Sequence, residues 1–199
     1  FGASLEKIKQ VVEARSGEIM FGLNLVVHKG KTIFVGDTSV HEYPTSEQMS
    51  EMAISAARVV RLFGFVPKVA FVSHSTFGQP LTSRTKHIKN AVEILKEKNV
   101  DFEFDGDMQP DVALNEEYKS LYPFSKIVGN ANILIMPGQH SAAISYKMMK
   151  TLGDTKVIGP LLIGLGLPIE IAPLRSSTSE ILNLASIAAY SSDVINYNK

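Results

Sequence analysis

A chain of 199 residues with 20 acidic and 20 basic side chains has no net field to steer nucleic acid or an anionic membrane toward it. With 45% apolar residues it can bury a substantial core, and with no cysteine it has no disulfides, thiolate nucleophiles or thiolate metal sites. No apolar run is long enough to cross a bilayer and no secretory leader opens the chain, so a cytoplasmic protein is expected. Phe1-Gly2-Ala3 offers no initiator Met and leads at once into residues 4–13, whose spacing predicts a helix capped by Ser4. Such an opening fits a domain excised from a longer chain.

Gly17 ends that helix. Two β-rich runs, 21–28 and 32–37, flank Lys29-Gly30-Lys31, and Gly30 marks a hairpin turn. Pro44-Thr45-Ser46-Glu47-Gln48 announces a helix in which Thr45 caps and Gln48 completes a capping box. Met49, Met52, Ala53, Ala56, Val59, Val60 and Phe63 form its apolar stripe, and Gly64 stops it. A strand over 68–73 leads to a polar loop, then to a helix over 83–98 with Ile88, Val92 and Leu95 on one face. Alternation predicts a strand over 101–106, and Pro110-Asp111 opens a short helix reaching Tyr118. The continuous apolar run 131–137 suits a strand covered on both faces. Gly138-Gln139-His140-Ser141 opens a helix through Leu152, residues 157–164 and 169–172 are the last strands, and a helix from Glu180 to Tyr190 closes the chain. This order predicts one α/β domain, a layered sheet with helices on both faces, without repeats or linkers.

In open α/β sheets, ligands bind beyond the carboxyl ends of strands, where helix starts present free N–H groups. Three loops qualify: 37–39, 73–78 and 138–141. Each places hydroxyls or a small residue beside a helix start, which suits a phosphate or diphosphate; on the other reading Thr45, Ser83 and Ser141 are simply helix caps. His74 and His140 stand in two of these loops, as acid, base or ligand contacts or as exposed bystanders. His28, His41 and His87 lie near element ends and receive no role. Asp105-Gly106-Asp107 lacks the further acidic ligands of a calcium loop and reads as a turn with a capping carboxylate. The five histidines show no zinc spacing, so no metal is expected. There is no Walker motif or complete dinucleotide fingerprint. The glycines of 159–166 are separated by bulky aliphatics and serve close approach to a flat ligand or to another strand.

Several strings in order resemble the phosphate acetyltransferase/phosphate butyryltransferase family. They are Gly36-Asp37-Thr38, Pro67-Lys68-Val69-Ala70-Phe71-Val72-Ser73-His74-Ser75-Thr76-Phe77-Gly78, Asp105-Gly106-Asp107-Met108-Gln109-Pro110, Gly129-Asn130-Ala131-Asn132, Ile144-Ser145-Tyr146-Lys147 and Ile158-Gly159-Pro160-Leu161-Leu162-Ile163-Gly164. The resemblance spans nearly all of residues 1–199 but covers only the later part of a family member, the segment with phosphate-binding arginines being absent. It implies an isocitrate/isopropylmalate dehydrogenase-like fold. Val40-His41-Glu42-Tyr43-Pro44-Thr45, the 101–106 string and Tyr122-Pro123-Phe124 are most similar to the C-terminal domain of large NADP-dependent malic enzymes. In those proteins such a domain binds acetyl-CoA and regulates the attached dehydrogenase.

One stretch departs from the family pattern. Aligned on Ile181-Leu182-Asn183, Pro173 stands at the family's catalytic serine, Leu174 at its arginine and Glu180 at its aspartate, with Arg175 one position beyond. The family chemistry is attack of the CoA thiol on acetyl phosphate, helped by a carboxylate and by hydroxyl and guanidinium donors to the oxyanion. Loss of one such donor costs on the order of a hundredfold. The resemblance therefore implies an acetyl-CoA or CoA sensor without catalytic residues. Asp37, Ser75, Thr76, His140, Ser141, Lys147 and Gly164 would line its ligand cleft, with a solvated charge as the other reading of Lys147. NADP and a divalent cation would belong only to the malic enzyme part of the same chain, and a homo-oligomer is expected. The alternatives are a working phosphate acetyltransferase with an altered loop, and an oligomerisation module that neither binds nor reacts.

Overall fold

The computed structural model describes residues 2–197, with side chains for residues 2–191 other than Arg84. Its elements are α1 (Gly2–Lys9), β1 (Phe21–His28), β2 (Lys31–Gly36), α2 (Ser46–Leu62), β3 (Lys68–Val72), α3 (Ser83–Glu97), β4 (Glu103–Met108), α4 (Pro110–Leu114), α5 (Glu116–Lys119), β5 (Ile133–Ile135), α6 (Gln139–Leu152), β6 (Thr155–Ile163) and α7 (Thr178–Tyr197). The strands form one six-stranded sheet in the order β4-β3-β5-β2-β1-β6. β4, β3, β5 and β2 run parallel, whereas β1 is antiparallel to both β2 and β6. The carboxyl ends of β3, β5 and β2 therefore lie side by side at one edge, with the end of β6 on the same edge.

Period-two alternation separates two cores. Phe34 on β2, Val69 and Phe71 on β3, and Ile133 and Ile135 on β5 face α2 and α3, packing on Met49, Met52, Ala56, Val60, Ile88 and Leu95. Their neighbours Val35, Ala70, Val72 and Leu134 face the other way, with Val112, Ala113 and Ala142 of α4 and α6. Each fully buried Leu, Ile, Phe or Met side chain contributes about 1.5–3 kcal/mol. These two faces make the expected layered architecture. A third, smaller cluster joins Leu5 of α1 to Leu162 and Leu165 at the end of β6.

Local signals hold where the chemistry is local. β1 and β2 pair up to His28 opposite Lys31, leaving Lys29 and Gly30, both at positive φ, as a two-residue turn. Thr45 and Gln48 form the reciprocal capping box of α2.

Other elements differ from the sequence expectation. α1 ends at Lys9 rather than near Gly17, because residues 13–15 pair with the continuation of β6: Ala14 bridges Leu165, and Arg15 N donates to Gly164 O at 2.8 Å. Ser83 does not cap α3. Thr82 does, in a box with Thr85. Ser141 is not a cap either, since α6 begins after Gly138. The expected helix from Pro110 to Tyr118 breaks at Asn115, whose side chain accepts from Glu117 N and starts a second helix. Residues 169–172 form no strand. The Leu162 N–H at that edge instead donates to Glu170 Oε2 at 3.0 Å, so a side chain closes the position that a further strand would take.

Candidate functional site

The first candidate loop is organised by one buried carboxylate. Asp37 is wholly inaccessible and accepts four backbone N–H groups: Gly22 (2.8 Å), Ser39 (2.9 Å), Val40 (3.2 Å) and His41 (2.6 Å). His41 Nδ1 approaches the same carboxylate at 2.9 Å. With its lone pairs taken, Asp37 holds the loop together instead of presenting itself to a ligand. Thr38, also buried, donates to Asn24 Oδ1 at 3.0 Å, and the Asn24 Nδ2 is buried with no partner.

The second loop is built the same way around Asp107 at the end of β4. Ser75 is inaccessible and its hydroxyl donates to Asp107 Oδ2, while Gly78 N donates to Oδ1 at 2.9 Å. Thr76 Oγ1 accepts from Gln109 N at 3.2 Å. Ser75 and Thr76 thus tie this loop to the end of β4. His74, between them and the strand, is exposed. Asp105 likewise accepts backbone N–H groups, from Gly106 and Lys126, as a turn carboxylate should.

The first and third loops do meet. Gln139 N donates to His41 O at 3.2 Å, and His140 Nε2 lies 3.1 Å from Glu42 Oε1 with both side chains largely exposed. Ser141 sits half-buried one residue further into α6. Asp37, Ser75, Thr76, His140 and Ser141 therefore all lie at the carboxyl edge, and the first and third loops are in direct contact there.

Lys147 lies elsewhere. It belongs to a 220 Å³ cleft between α6, β6 and the segment leading into α7, together with Lys150, Gly159, Pro160, Pro173, Arg175, Ser176 and Glu180. Pro173 and Glu180 thus share one cleft, whereas Leu174 between them points fully into solvent. Glu180 has little freedom. One carboxylate oxygen takes Lys150 Nζ at 2.9 Å, and the other accepts from the Ser177 backbone N–H (2.8 Å) and hydroxyl (3.0 Å). The Lys150 ammonium, followed by the two Ser177 donors, holds the Glu180 carboxyl down at about 2. Glu180 N in turn donates to Ser177 Oγ, so these residues form a reciprocal capping box that starts α7. The Ser177-x-x-Glu180 spacing was the sequence signal for this start, two residues before the Glu180 expected from the apolar pattern.

Gly164 lies in a second, larger cavity of 640 Å³ between the segment 13–19, α2, the end of β6 and α7. Its role is steric: at φ +87°, a Cβ there would stand 2.0 Å from Ile19 O. Sequence reasoning missed Glu170 in this cavity. Burial pushes its carboxyl up to about 8, against the weaker opposing pull of the Leu162 N–H. Lys119 is a further perturbed group, lowered by burial and by nearby Lys68, and its Nζ is buried without a partner. Among the described residues, no group of His, Asp or Glu side chains is placed to hold a metal ion.

This geometry, a mostly parallel sheet with its serine- and acid-bearing segment at the sheet edge before a last helix, matches a known class. The family model described as "Phosphate acetyl/butaryl transferase" matches residues 2–189, and the chain belongs to that family. Within it, the chain is 43% identical over 190 residues to the NADP-dependent malic enzyme of Rhizobium meliloti, covering 96% of this chain and 25% of the relative. It is 30% identical over 182 residues to the phosphate acetyltransferase of Bacillus subtilis, covering 90% of this chain and 56% of the relative. The solved phosphotransacetylase of Streptococcus pyogenes superposes with a TM-score of 0.89 at 28% identity, covering 95% of this chain and 59% of that one. The chain thus spans a quarter of the length of the malic enzyme it matches. Among the described residues, no helix is long and apolar enough to cross a membrane.

Proposed function

We propose that this chain is a non-catalytic, acetyl-CoA-binding regulatory domain of an NADP-dependent malic enzyme carried in the same cytoplasmic polypeptide. The observation that carries the reading is the state of Glu180. One of its oxygens is taken by Lys150 and the other by both Ser177 donors, and a carboxylate so engaged and lowered by these partners is a poor acceptor for a thiol proton. Pro173 supplies no hydroxyl at the family's serine position, and Leu174 supplies no guanidinium at its arginine position. Transfer chemistry would lack both its base and its oxyanion donors.

Binding is a separate matter. Lys147, Lys150 and Arg175 around the smaller cleft give cationic partners for the phosphates of CoA, and its 220 Å³ would take one end of that ligand, not the whole. NADP, a divalent cation and malate would be handled by the malic enzyme part. Exposed apolar side chains on α6 and α7, including Ile144, Met148, Ile181 and Leu182, suit contacts in a homo-oligomer. A second reading, a working phosphate acetyltransferase, is favoured by the identity to enzymes of that name and by Arg175 at the cleft.

Calorimetric titration with acetyl-CoA, followed by an assay of acetyl transfer from acetyl phosphate to CoA, tests both. Saturable binding without transfer is expected. Measurable turnover would replace the sensor by the transferase, and no binding to either this domain or the malic enzyme that contains it would remove the sensor.

A further inference from the structure

The larger cavity shares no lining residue with the cleft that holds Lys147 and Glu180. Its body is apolar: Val59, Leu62 and Phe63 of α2, Leu165 beyond β6 and Ile187 of α7. Its volume of 640 Å³ lies within the roughly 300–1,000 Å³ range of small-molecule sites. Its charged lining groups are Arg15, Glu18, Arg58 and Glu170. Arg58 Nη1 and Arg15 Nη1 both donate to the same oxygen of Glu18, at 2.5 and 3.4 Å, and Arg58 Nη2 donates to Ser55 Oγ at 3.2 Å. Two guanidiniums against one carboxylate leave one positive charge and spare N–H donors.

We propose that this cavity is a second binding site, for a linear aliphatic monocarboxylate whose carboxylate meets Arg58 and Arg15 and whose chain lies against Leu62, Leu165 and Ile187. The charge balance selects the class. A single excess positive charge matches one carboxylate, whereas a diphosphate would remain underneutralised. Apolar walls of this extent favour a hydrocarbon body over a sugar or a nucleobase carrying many hydrogen-bonding groups. The remaining acid of the cavity does not oppose an anion near neutral pH, because burial keeps Glu170 protonated up to about 8. The charged groups facing it are Arg15 and Glu18 from the segment before β1 and Arg58 from α2, while the described lining residues of α7 bring only serines, Ile187 and Tyr190. The site stands independently of acetyl-CoA binding in the smaller cleft.

Decanoate is the probe, titrated into the chain by calorimetry with and without saturating acetyl-CoA. One saturable site is expected, with an affinity that acetyl-CoA does not reduce. Arg58→Gln should weaken decanoate about tenfold, the scale of one charged hydrogen bond, and decanol should bind correspondingly more weakly than decanoate. Leu62→Trp should abolish binding by filling the cavity; Ile187→Trp serves the same purpose from α7 if the first variant does not fold, as judged by circular dichroism and thermal unfolding. Absence of saturable binding, wild-type affinity in Arg58→Gln, or competition by acetyl-CoA would each overturn the proposal. A self-associating chain whose association is lost in Leu62→Trp would also overturn it, by assigning the cavity to a second copy.

Discussion

In the loops after β2 and β3, two buried aspartates, Asp37 and Asp107, gather backbone N–H groups around them, and the neighbouring hydroxyls of Thr38, Ser75 and Thr76 bond to adjoining segments. The two cavities bordered by β6 and α7 are arranged differently: Lys147 and Lys150 of α6 and Arg175 border one, and Arg15, Arg58 and the buried Glu170 border the other. Both regions are rich in polar residues at a strand end beside a helix start. A polar side chain whose partners are all internal is scaffold, and one that borders a cavity with donors to spare is available for recognition.

That contrast can be broken most severely at Asp37. Asp37→Ala leaves one buried and three part-buried N–H groups without an acceptor and should lower the unfolding free energy by on the order of 3–5 kcal/mol in urea denaturation. A loss below ~1 kcal/mol would show that the loop does not depend on it.

The next largest effect belongs to Glu170 and depends on pH. Its carboxyl is raised to about 8 in the fold against 4.5 when exposed, so the native state keeps a proton that the unfolded chain releases between those values. Stability should therefore be full below pH 4.5 and fall as pH rises toward 8, by roughly 2–4 kcal/mol after allowance for partial solvent access. Glu170→Gln should flatten that profile, and equal slopes in wild type and variant would assign the pH dependence elsewhere.

Glu180→Gln tests the other side with a smaller change. Removing the carboxylate from the α7 box and from Lys150 should cost about 1 kcal/mol at neutral pH. Because the carboxyl is depressed to about 2, this contribution is present above 4.5 and lost as pH falls through 2, so the two proteins should converge in strong acid. The smallest effect should come from His140→Ala. Its exposed pair with Glu42 is worth less than ~0.5 kcal/mol, and a larger loss would mean that the meeting of the first and third loops rests on it.

The legible parts of this molecule are those decided within a few residues. The continuous apolar run 131–137 marked the doubly covered β5, Gly30 gave the hairpin, and Thr45 with Gln48 gave the start of α2. The end of α1 was illegible because its competitor, the pairing of Ala14 with Leu165, comes from the opposite end of the chain. The strand expected over 169–172 failed for a similar reason, its alternating pattern serving instead to bring Glu170 back onto Leu162. Pro173, Glu180 and Lys147, each singled out in the sequence, line one cleft. Glu170 and the Arg15–Glu18–Arg58 cluster were not, since each is unremarkable in its own segment and gains meaning only when distant segments pack.

β1 is held on one side by its hairpin partner and on the other by β6, whose first residue, Thr155, bonds His28 across 127 positions of chain. Until that last strand arrives, β1 presents an open row of unpaired amides and carbonyls beside the apolar Leu25 and Val26. Closing such a high-contact-order pairing is slow. A polypeptide that ends before residue 155, whether truncated or still emerging from synthesis, would carry this sticky edge and invite strand addition from another molecule.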